Sequence, residues 1–160
     1  MDIQFTKLNY SLSGELKITG SKSESNRLLI LQAQYPSLKI KNISNSEDTK
    51  QIINALKSYD KVIDIHHAGT AMRFLSAYFA FKNGSEVLLT GSKRMKERPI
   101  KILVKALKDL GASIYYQNSE GFPPILIKGL ESSGNYVKLS SSTSSQYISA
   151  LMLIAPRFSN

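Results

Sequence analysis

The sequence predicts an α+β protein assembled from repeated α/β units, and three observations support this class. One segment has apolar residues at helical spacing, followed by a glycine at the position that ends such helices: Ile100, Leu103, Val104, Leu107, Leu110 and Gly111. Short segments of alternating polarity separate the helical segments, as strands would. The order helix, strand, helix, strand occurs over residues 22–66 and again over residues 69–117.

The first half of the chain contains one copy of this order. Its predicted elements are strands at 3–8 and 15–19, a helix at 23–34, a strand at 38–43, a helix beginning at Ser46, and a strand at 62–65. Pro36 ends the first helix because proline cannot continue the backbone hydrogen bonding. Ser46 is a typical N-cap. The helix that follows it should have one apolar face, formed by Ile52, Ile53, Leu56 and Tyr59.

The second half repeats the order and then adds strands. Its predicted elements are a helix at 71–81, a strand at 86–90, a helix at 99–110, strands at 112–116, 125–128 and 135–139, and a helix at 144–155. Asn83 and Gly84 stop the first of these helices, and Pro99 suits the first turn of the second. A third copy begins at Ser144 and contains a single helix, so we expect the chain to be a fragment of a longer protein.

The composition is that of an ordinary globular domain. With 160 residues, 42% of them hydrophobic, the chain is long enough to bury one core. It has no apolar run of membrane-spanning length, no secretory signal and no cysteine, so we expect a cytoplasmic protein without a membrane partner. The net charge of +9 favours anionic partners, although many lysines are scattered along predicted helix faces, as solvated surface residues are.

Four loops that lead into predicted helices combine small residues with cations or hydrogen-bond donors. They are residues 20–27, 67–73, 91–99 and 140–146. A helix start presents free N–H groups and the positive end of the helix dipole. Cations there, such as Lys22, Arg27 and Arg73, are each unfavourable by about 0.3–1 kcal/mol unless an anion offsets them. Their recurrence predicts a site for two or more phosphate or carboxylate groups.

The same residues also fit less specific roles. Each loop taken alone could be a capped helix or a solvated basic surface, including the run that contains Lys93, Arg94, Lys96 and Arg98. No loop has the glycine pattern of a Walker or dinucleotide-binding motif. His66 and His67 are adjacent, so their rings would point to opposite sides of an extended chain, and we expect neither a metal site nor a cofactor. Glu47 and Asp48 are interpreted as complements to a helix dipole.

The four loops carry the motifs of a known family. They contain Gly-Ser-Lys-Ser-Glu-Ser-Asn-Arg at 20–27, Ala-Gly-Thr-Ala-Met-Arg at 68–73, Arg-Met-Lys-Glu-Arg-Pro at 94–99 and Ser-Ser-Gln at 144–146. In these motifs, their order and their spacing, the chain resembles the N-terminal part of the 5-enolpyruvylshikimate-3-phosphate synthase family. The resemblance covers essentially the whole chain, and the second and third motifs together are highly specific.

The resemblance implies a reaction and a set of roles. The enolpyruvyl group of phosphoenolpyruvate would move to the 5-hydroxyl of shikimate 3-phosphate through a tetrahedral intermediate, with release of phosphate. Lys22 would be catalytic. The phosphoenolpyruvate-binding residues would be Lys22, Gly69, Arg73, Arg94 and Gln146, and the shikimate-3-phosphate-binding residues would be Ser23, Arg27, Ser144 and Ser145. His67 stands where many family members have Asn.

The resemblance also implies a fold and a missing partner. Family members contain βαβαββ units with helices inside and sheets outside, in two domains that enclose the active site. Residues 1–20 would join the other domain, and residues 21–160 would form two units and the start of a third. The second domain, with its acid–base and phosphate-binding groups, has no counterpart here. We therefore expect an inactive fragment that retains a weak half-site for shikimate 3-phosphate and self-associates through exposed apolar surface.

Two other hypotheses are compatible with the sequence. Related βαβαββ folds occur in RNA-processing proteins, so the charge of +9 also fits a nucleic-acid-binding module, in which aromatic residues would lie beside the basic loops. Among the four loops only Tyr147 lies nearby, and we therefore favour small anionic ligands without nucleic acid. A fragment that binds neither kind of ligand is the third hypothesis.

Overall fold

The computed structural model describes residues 3–4, 6–7, 13–130, 134–140 and 144–157. Within these residues the elements are α1 (Lys22–Gln34), α2 (Glu47–Lys57), β1 (Val62–Asp64), α3 (Gly69–Phe81), β2 (Val87–Thr90), α4 (Lys93–Lys96), α5 (Lys101–Asp109), β3 (Ala112–Tyr116), β4 (Ile125–Leu130) and α6 (Ser145–Ile154). A turn of 3₁₀ helix, Ala155–Arg157, follows α6.

Residues 62–130 form a βαβαββ unit, which we call the sheet unit. Its strands lie in the order β1-β2-β4-β3, with β1 and β2 parallel and the remaining pairs antiparallel. Ile127 of β4 lies opposite Val87 on one side and Ile114 on the other. The predicted spacing of α5 is confirmed, and Gly111 follows it with φ of 99°, a conformation in which glycine ends helices without strain.

Helix α3 lies at the centre of the molecule. All thirteen of its residues are buried, as expected for a helix that is mainly apolar. It packs against β4 on one side and against α1, α2, α5 and α6 on the others. This arrangement has helices inside and a sheet outside, which confirms the predicted fold class.

Helices α1 and α2, with the segment between them, form what we call the helix-pair unit, residues 20–57. Hydrogen bonds that involve buried side chains join α1 to α2 and to the segment before α2. The Ser44 amide donates to Ser25 Oγ at 2.9 Å, and Thr49 Oγ1 donates to Asn26 Oδ1 at 2.6 Å. The hydroxyl of Ser46 also lies 2.8 Å from that of Thr49. The described residues of this unit contain no strand.

Three predicted strands are wrong where the structure describes them. Residues 15–19, 38–43 and 135–139 have no strand structure, and the prediction at 3–8 falls partly outside the described residues. Alternation indicates which side chains turn inward, and it does so correctly for partly buried Ile40, Ile43, Val137 and Leu139. A strand also needs a neighbouring strand for its backbone hydrogen bonds. No such neighbour exists for these segments among the described residues.

Several boundaries also differ from the predictions. The strand at 62–64 pairs with β2, so it begins the sheet unit and does not end the first copy. Helix α2 ends at Lys57, which leaves Tyr59 fully exposed and off its apolar face. Pro99 precedes α5 by two residues, and the basic run before it folds as the separate short helix α4. The first and last residues of helices and strands depend on local contacts that the spacing of apolar residues does not determine.

Helix α6 has an exposed apolar side, as predicted for the last helix. Met152 is 68% exposed, and Ile148 is 36% exposed. Both border shallow apolar grooves shared with Val137 and Leu139. The groove surface is a candidate for association with another apolar surface.

Candidate anion-binding site

The motif at residues 20–27 divides between structural and solvent-facing residues. Ser21 caps α1 by accepting a hydrogen bond from the Glu24 amide at 3.4 Å, whereas Lys22 and Ser23 are exposed at the helix start. Ser25 and Asn26 point inward and join α1 to the segment before α2. At Gly20 a Cβ would overlap the Asn42 carbonyl oxygen, so this approach requires glycine.

Arg27, predicted to bind a phosphate, is partly buried against α3 and α6. Its Nη1 donates to the Ser23 carbonyl oxygen at 2.8 Å, and its Nη2 donates to Ser149 Oγ at 3.2 Å. The guanidinium carbon lies 5.6 Å from the centre of the Phe74 ring. These contacts orient the cation between α3 and the middle of α6.

The second motif forms the start of α3. The Thr70 amide donates to Asp48 Oδ1 at 3.1 Å, so a carboxylate from α2 satisfies one of the free N–H groups of α3. Arg73, one turn further on, donates from Nη1 to the Gly69 carbonyl oxygen at 2.7 Å. Asp48 therefore complements two helices, its own and α3, and ties the helix-pair unit to the sheet unit.

Arg73 is an unusual charge for the core. It is 9% exposed, and its Nε is buried without a hydrogen-bond partner among the described residues. Burial lowers the pKa of Arg73, Tyr147 opposes this effect, and the positive charge of Arg98 lowers the pKa further. The guanidinium nevertheless keeps its proton, as arginine does in proteins. A buried cation with an unused donor, at the positive end of a helix, is a strong attractor for an anion.

The third motif lines a cavity near this helix start. A cavity of about 640 Å³ is bordered by His67, Ser92, Arg94, Met95 and Arg98. Ser92 caps α4 by accepting from the Met95 amide at 3.3 Å. Arg98 reaches over to α3, where its Nη1 occupies the space that a Cβ at Gly69 would need. Residue 69 must therefore lack a side chain for Arg98 to lie there.

The fourth motif lies at the start of α6 and contacts the second and third motifs. Ser144 is the N-cap, with its hydroxyl 3.4 Å from the Gln146 amide, and Ser145 is exposed beside it. Gln146 donates from Nε2 to Thr70 Oγ1 at 3.4 Å. The next residue, Tyr147, donates from its hydroxyl to the Pro99 carbonyl oxygen at 2.8 Å. Its ring centre lies 5.5 Å from the guanidinium carbon of Arg73.

The structure brings most of the predicted residues into one region. Contacts connect Gly69, Arg73 and Gln146 at the start of α3, and Arg94 borders the adjoining cavity. Lys22, Ser23, Ser144 and Ser145 lie exposed at the starts of α1 and α6, two helices that are in contact. Sequence reasoning counted Arg98 among the cations of the third loop without giving it a role. It missed Asp48 and Tyr147 as parts of the site, because their partners lie far away along the chain.

Two kinds of feature are absent from the residues that the structure describes. It contains no group of three or more His, Asp or Glu side chains placed to hold a metal ion. It also contains no helix of the length and apolar character that crossing a membrane would require.

Fold and site together define an α/β protein of βαβαββ architecture, with an anion-binding region assembled from helix starts. A sequence model described as EPSP synthase (3-phosphoshikimate 1-carboxyvinyltransferase) matches residues 57–160. The chain belongs to this family, as the sequence motifs predicted.

Two relatives support this assignment, although much of their length is not matched by this chain. The 3-phosphoshikimate 1-carboxyvinyltransferase of Bacteroides fragilis is 46% identical over 154 residues, covering 93% of this chain and 36% of the relative. That of Actinobacillus pleuropneumoniae serotype 5b is 40% identical over 174 residues, covering 91% of this chain and 40% of the relative. The chain thus spans well under half the length of these relatives.

A solved structure supports the fold independently. The EPSP synthase of Acinetobacter baumannii superimposes with a TM-score of 0.73 at 20% sequence identity. The superposition covers 88% of this chain and 37% of that one.

Proposed function

We propose that this chain supplies one wall of an active site for enolpyruvyl transfer from phosphoenolpyruvate to shikimate 3-phosphate. Lys22 would act on the reacting phosphate, with Gly69, Arg73, Arg94 and Gln146 on the phosphoenolpyruvate side. Ser23, Arg27, Ser144 and Ser145 would hold shikimate 3-phosphate. The remaining catalytic groups would come from the part of the relatives that this chain does not match, so the 160 residues alone would turn over little or no substrate.

The observation that carries this proposal is the buried Arg73 guanidinium at the start of α3. Arg73, Arg94 and Arg98 take part in none of the ion pairs found among the described residues. The positive end of the α3 dipole adds to their charge. Such an arrangement is unfavourable in the free protein and becomes favourable when a phosphate or carboxylate binds.

The proposed chemistry depends on bringing two anions together. The 5-hydroxyl would give up its proton to a base as its oxygen bonds to C2 of phosphoenolpyruvate, and C3 would receive a proton from an acid. The adduct would then lose a proton from C3 as the bond between C2 and the phosphate oxygen breaks and phosphate leaves. Both substrates carry negative charge, so their approach is opposed by repulsion. Cations and amide dipoles fixed before binding offset that repulsion and orient the reacting atoms. This chain's contribution is therefore binding and electrostatic stabilisation.

Titration of the 160-residue protein with shikimate 3-phosphate and with phosphoenolpyruvate tests the proposal. We expect millimolar ligand to shift the amide NMR signals around Lys22, Arg27 and Ser144. Arg73→Gln should weaken phosphoenolpyruvate binding by about tenfold or more, the usual effect of losing a hydrogen bond to a charged group. Lys105→Gln removes a cation that is already paired with Asp109 on the surface of α5, and it serves as the control. Equal affinity of both variants and the wild type would refute the proposal.

One observation favours a second candidate, a nucleic-acid-binding surface. The ammonium groups of Lys108 and Lys128 lie 6.0 and 5.7 Å from the Tyr115 ring centre, and Tyr115 is 47% exposed. Basic residues beside an exposed aromatic ring are typical of surfaces that stack bases. RNA binding that weakens with salt and is lost in Tyr115→Ser would support this candidate. Ligand shifts confined to the α1, α3 and α6 starts would favour the transferase.

Three more predictions belong to this proposal. We place residues 1–20 with the other domain of the complete enzyme, and we place the protein in the cytoplasm.

We also expect the isolated chain to self-associate through the α6 grooves that contain Ile148 and Met152. Light scattering at high concentration checks the last point, and Met152→Glu should shift the chain towards the monomer. A monodisperse monomer for the wild type would contradict it.

A further inference from the structure

Two guanidinium groups of like charge lie beside one glycine at the start of α3. A Cβ placed on Gly69 would overlap Arg98 Nη1 and would lie 3.1 Å from Arg73 Nη1. Burial is the main cause that lowers the pKa of Arg73, and the Arg98 charge adds to it, so the two cations act on each other. The Asp48 carboxylate at the same helix start attracts Arg73, but none of the ion pairs found among the described residues joins it to Arg98, so the two cations still repel each other. Something in the protein must hold them.

Tyr147 contacts the surroundings of both arginines. The face of its ring lies under Arg73, with 5.5 Å between the guanidinium carbon and the ring centre, as in a cation–π contact. Its hydroxyl donates at 2.8 Å to the carbonyl oxygen of Pro99, the residue directly after Arg98. Because Tyr147 is 7% exposed and lies in the first turn of α6, its own position is fixed by packing.

We infer that Tyr147 is a positioning residue that sets the separation of Arg73 and Arg98, so that one phosphate or carboxylate group can engage both. The ring and the hydroxyl both interact with the first guanidinium, and the hydroxyl also holds the backbone that carries the second. Tyr147 itself does not touch the anion. The inference rests on the proposed function, because it assumes that an anion binds at the start of α3.

The test compares two tyrosines that are equally buried. Tyr147→Phe removes one hydroxyl next to the site, and Tyr78→Phe removes one from a ring that is also 7% exposed but packs against Phe79 instead. The 160-residue protein is titrated with inorganic phosphate and with phosphoenolpyruvate at a temperature where every variant is folded. We expect Tyr147→Phe to weaken binding about fivefold, the effect of one neutral hydrogen bond, and Tyr78→Phe to change it less than about twofold.

Side-chain NMR of the arginines separates positioning from general stability. In Tyr147→Phe the Nε–Hε signals of Arg73 and Arg98 should both move, because the hydroxyl interacts with the Arg73 guanidinium as well as with the Pro99 carbonyl oxygen. In Tyr147→Leu both signals should move and binding should fall further; if that variant does not fold, Tyr147→Phe still decides. A loss of thermal stability in Tyr147→Phe with unchanged affinity and unchanged arginine signals would overturn the inference.

Failure of the inference can be told apart from failure of the proposed function. If the wild type binds both anions and Tyr147→Phe binds them equally well, only the positioning role is wrong. If the wild type binds neither anion, the proposed site is wrong and the inference falls with it.

Discussion

The helix-pair unit and the sheet unit are held together by different kinds of interaction. In the sheet unit, β1 to β4 share ladder hydrogen bonds and cover α3. In the helix-pair unit, buried hydroxyl and amide groups of Asn26 and Thr49 join α1 to α2. Ladder bonds form with any side chains in register, whereas side-chain networks need particular residues at particular positions. The helix-pair unit should therefore tolerate fewer substitutions of its polar residues.

The largest expected effect is the loss of stability when a buried isoleucine is replaced by alanine. The loss depends on how far each unit can collapse into the cavity that the substitution leaves. Ile127 and Ile52 are both fully buried, the first in the middle of the sheet and the second on α2. Replacement by alanine should destabilise by about 2–5 kcal/mol, towards the upper end for Ile127→Ala and the lower end for Ile52→Ala. The neighbours of Ile127 are fixed by the ladder, whereas α2 can shift inward. Urea unfolding measures the free energy of unfolding of both variants. Equal losses would contradict the proposed difference between the two units.

A somewhat smaller effect is expected from the polar network of the helix-pair unit. Asn26→Ala removes the acceptor of the Thr49 hydroxyl and should destabilise by about 1–3 kcal/mol. Gln51→Ala is the control, since its amide bonds Glu47 Oε1 at 2.7 Å on the exposed side of α2. That change should stay within about 0.5 kcal/mol, as at other surface sites. If the two variants unfold at the same urea concentration, the buried network does not stabilise this unit.

Local patterns in the sequence specify some features of both units and leave others open. The spacing of α5 with Gly111 and the mainly apolar helix α3 were predictable, because each depends on local geometry and burial. The cationic character of the site was predictable for the same reason, since each motif precedes its own helix. The absence of strands at 38–43 and 135–139 was not predictable. Alternating polarity indicates which side chains are buried, but it does not indicate whether a neighbouring strand is available for backbone hydrogen bonds. The contact of Asp48 with Thr70 could not be predicted either, since it joins two units whose relative placement no local pattern encodes.

The smallest expected effect concerns a surface pair of the sheet unit. The hydrogen bond from Lys101 to Glu120, 2.6 Å long, lowers the pKa of the Glu120 carboxyl. A lowered pKa contributes stability above the unfolded-state value of 4.5, and this contribution is lost as the pH falls through the folded-state pKa. Glu120→Gln should therefore be slightly less stable than the wild type at pH 7, with the difference disappearing in acid. Chemical unfolding at pH 7 and pH 3 measures it, and a gap that persists at pH 3 would argue against the ion pair.

Burial of Arg73 beside Arg98 affects which sequences evolution or a design procedure would retain. Holding two like charges at the positive end of the central helix lowers the stability of the free protein, so a search for stability alone would discard the pair. Its ligand would return that stability, and the melting temperature should rise with the concentration of bound anion. The supply of the anionic ligand would then govern how long the folded chain survives.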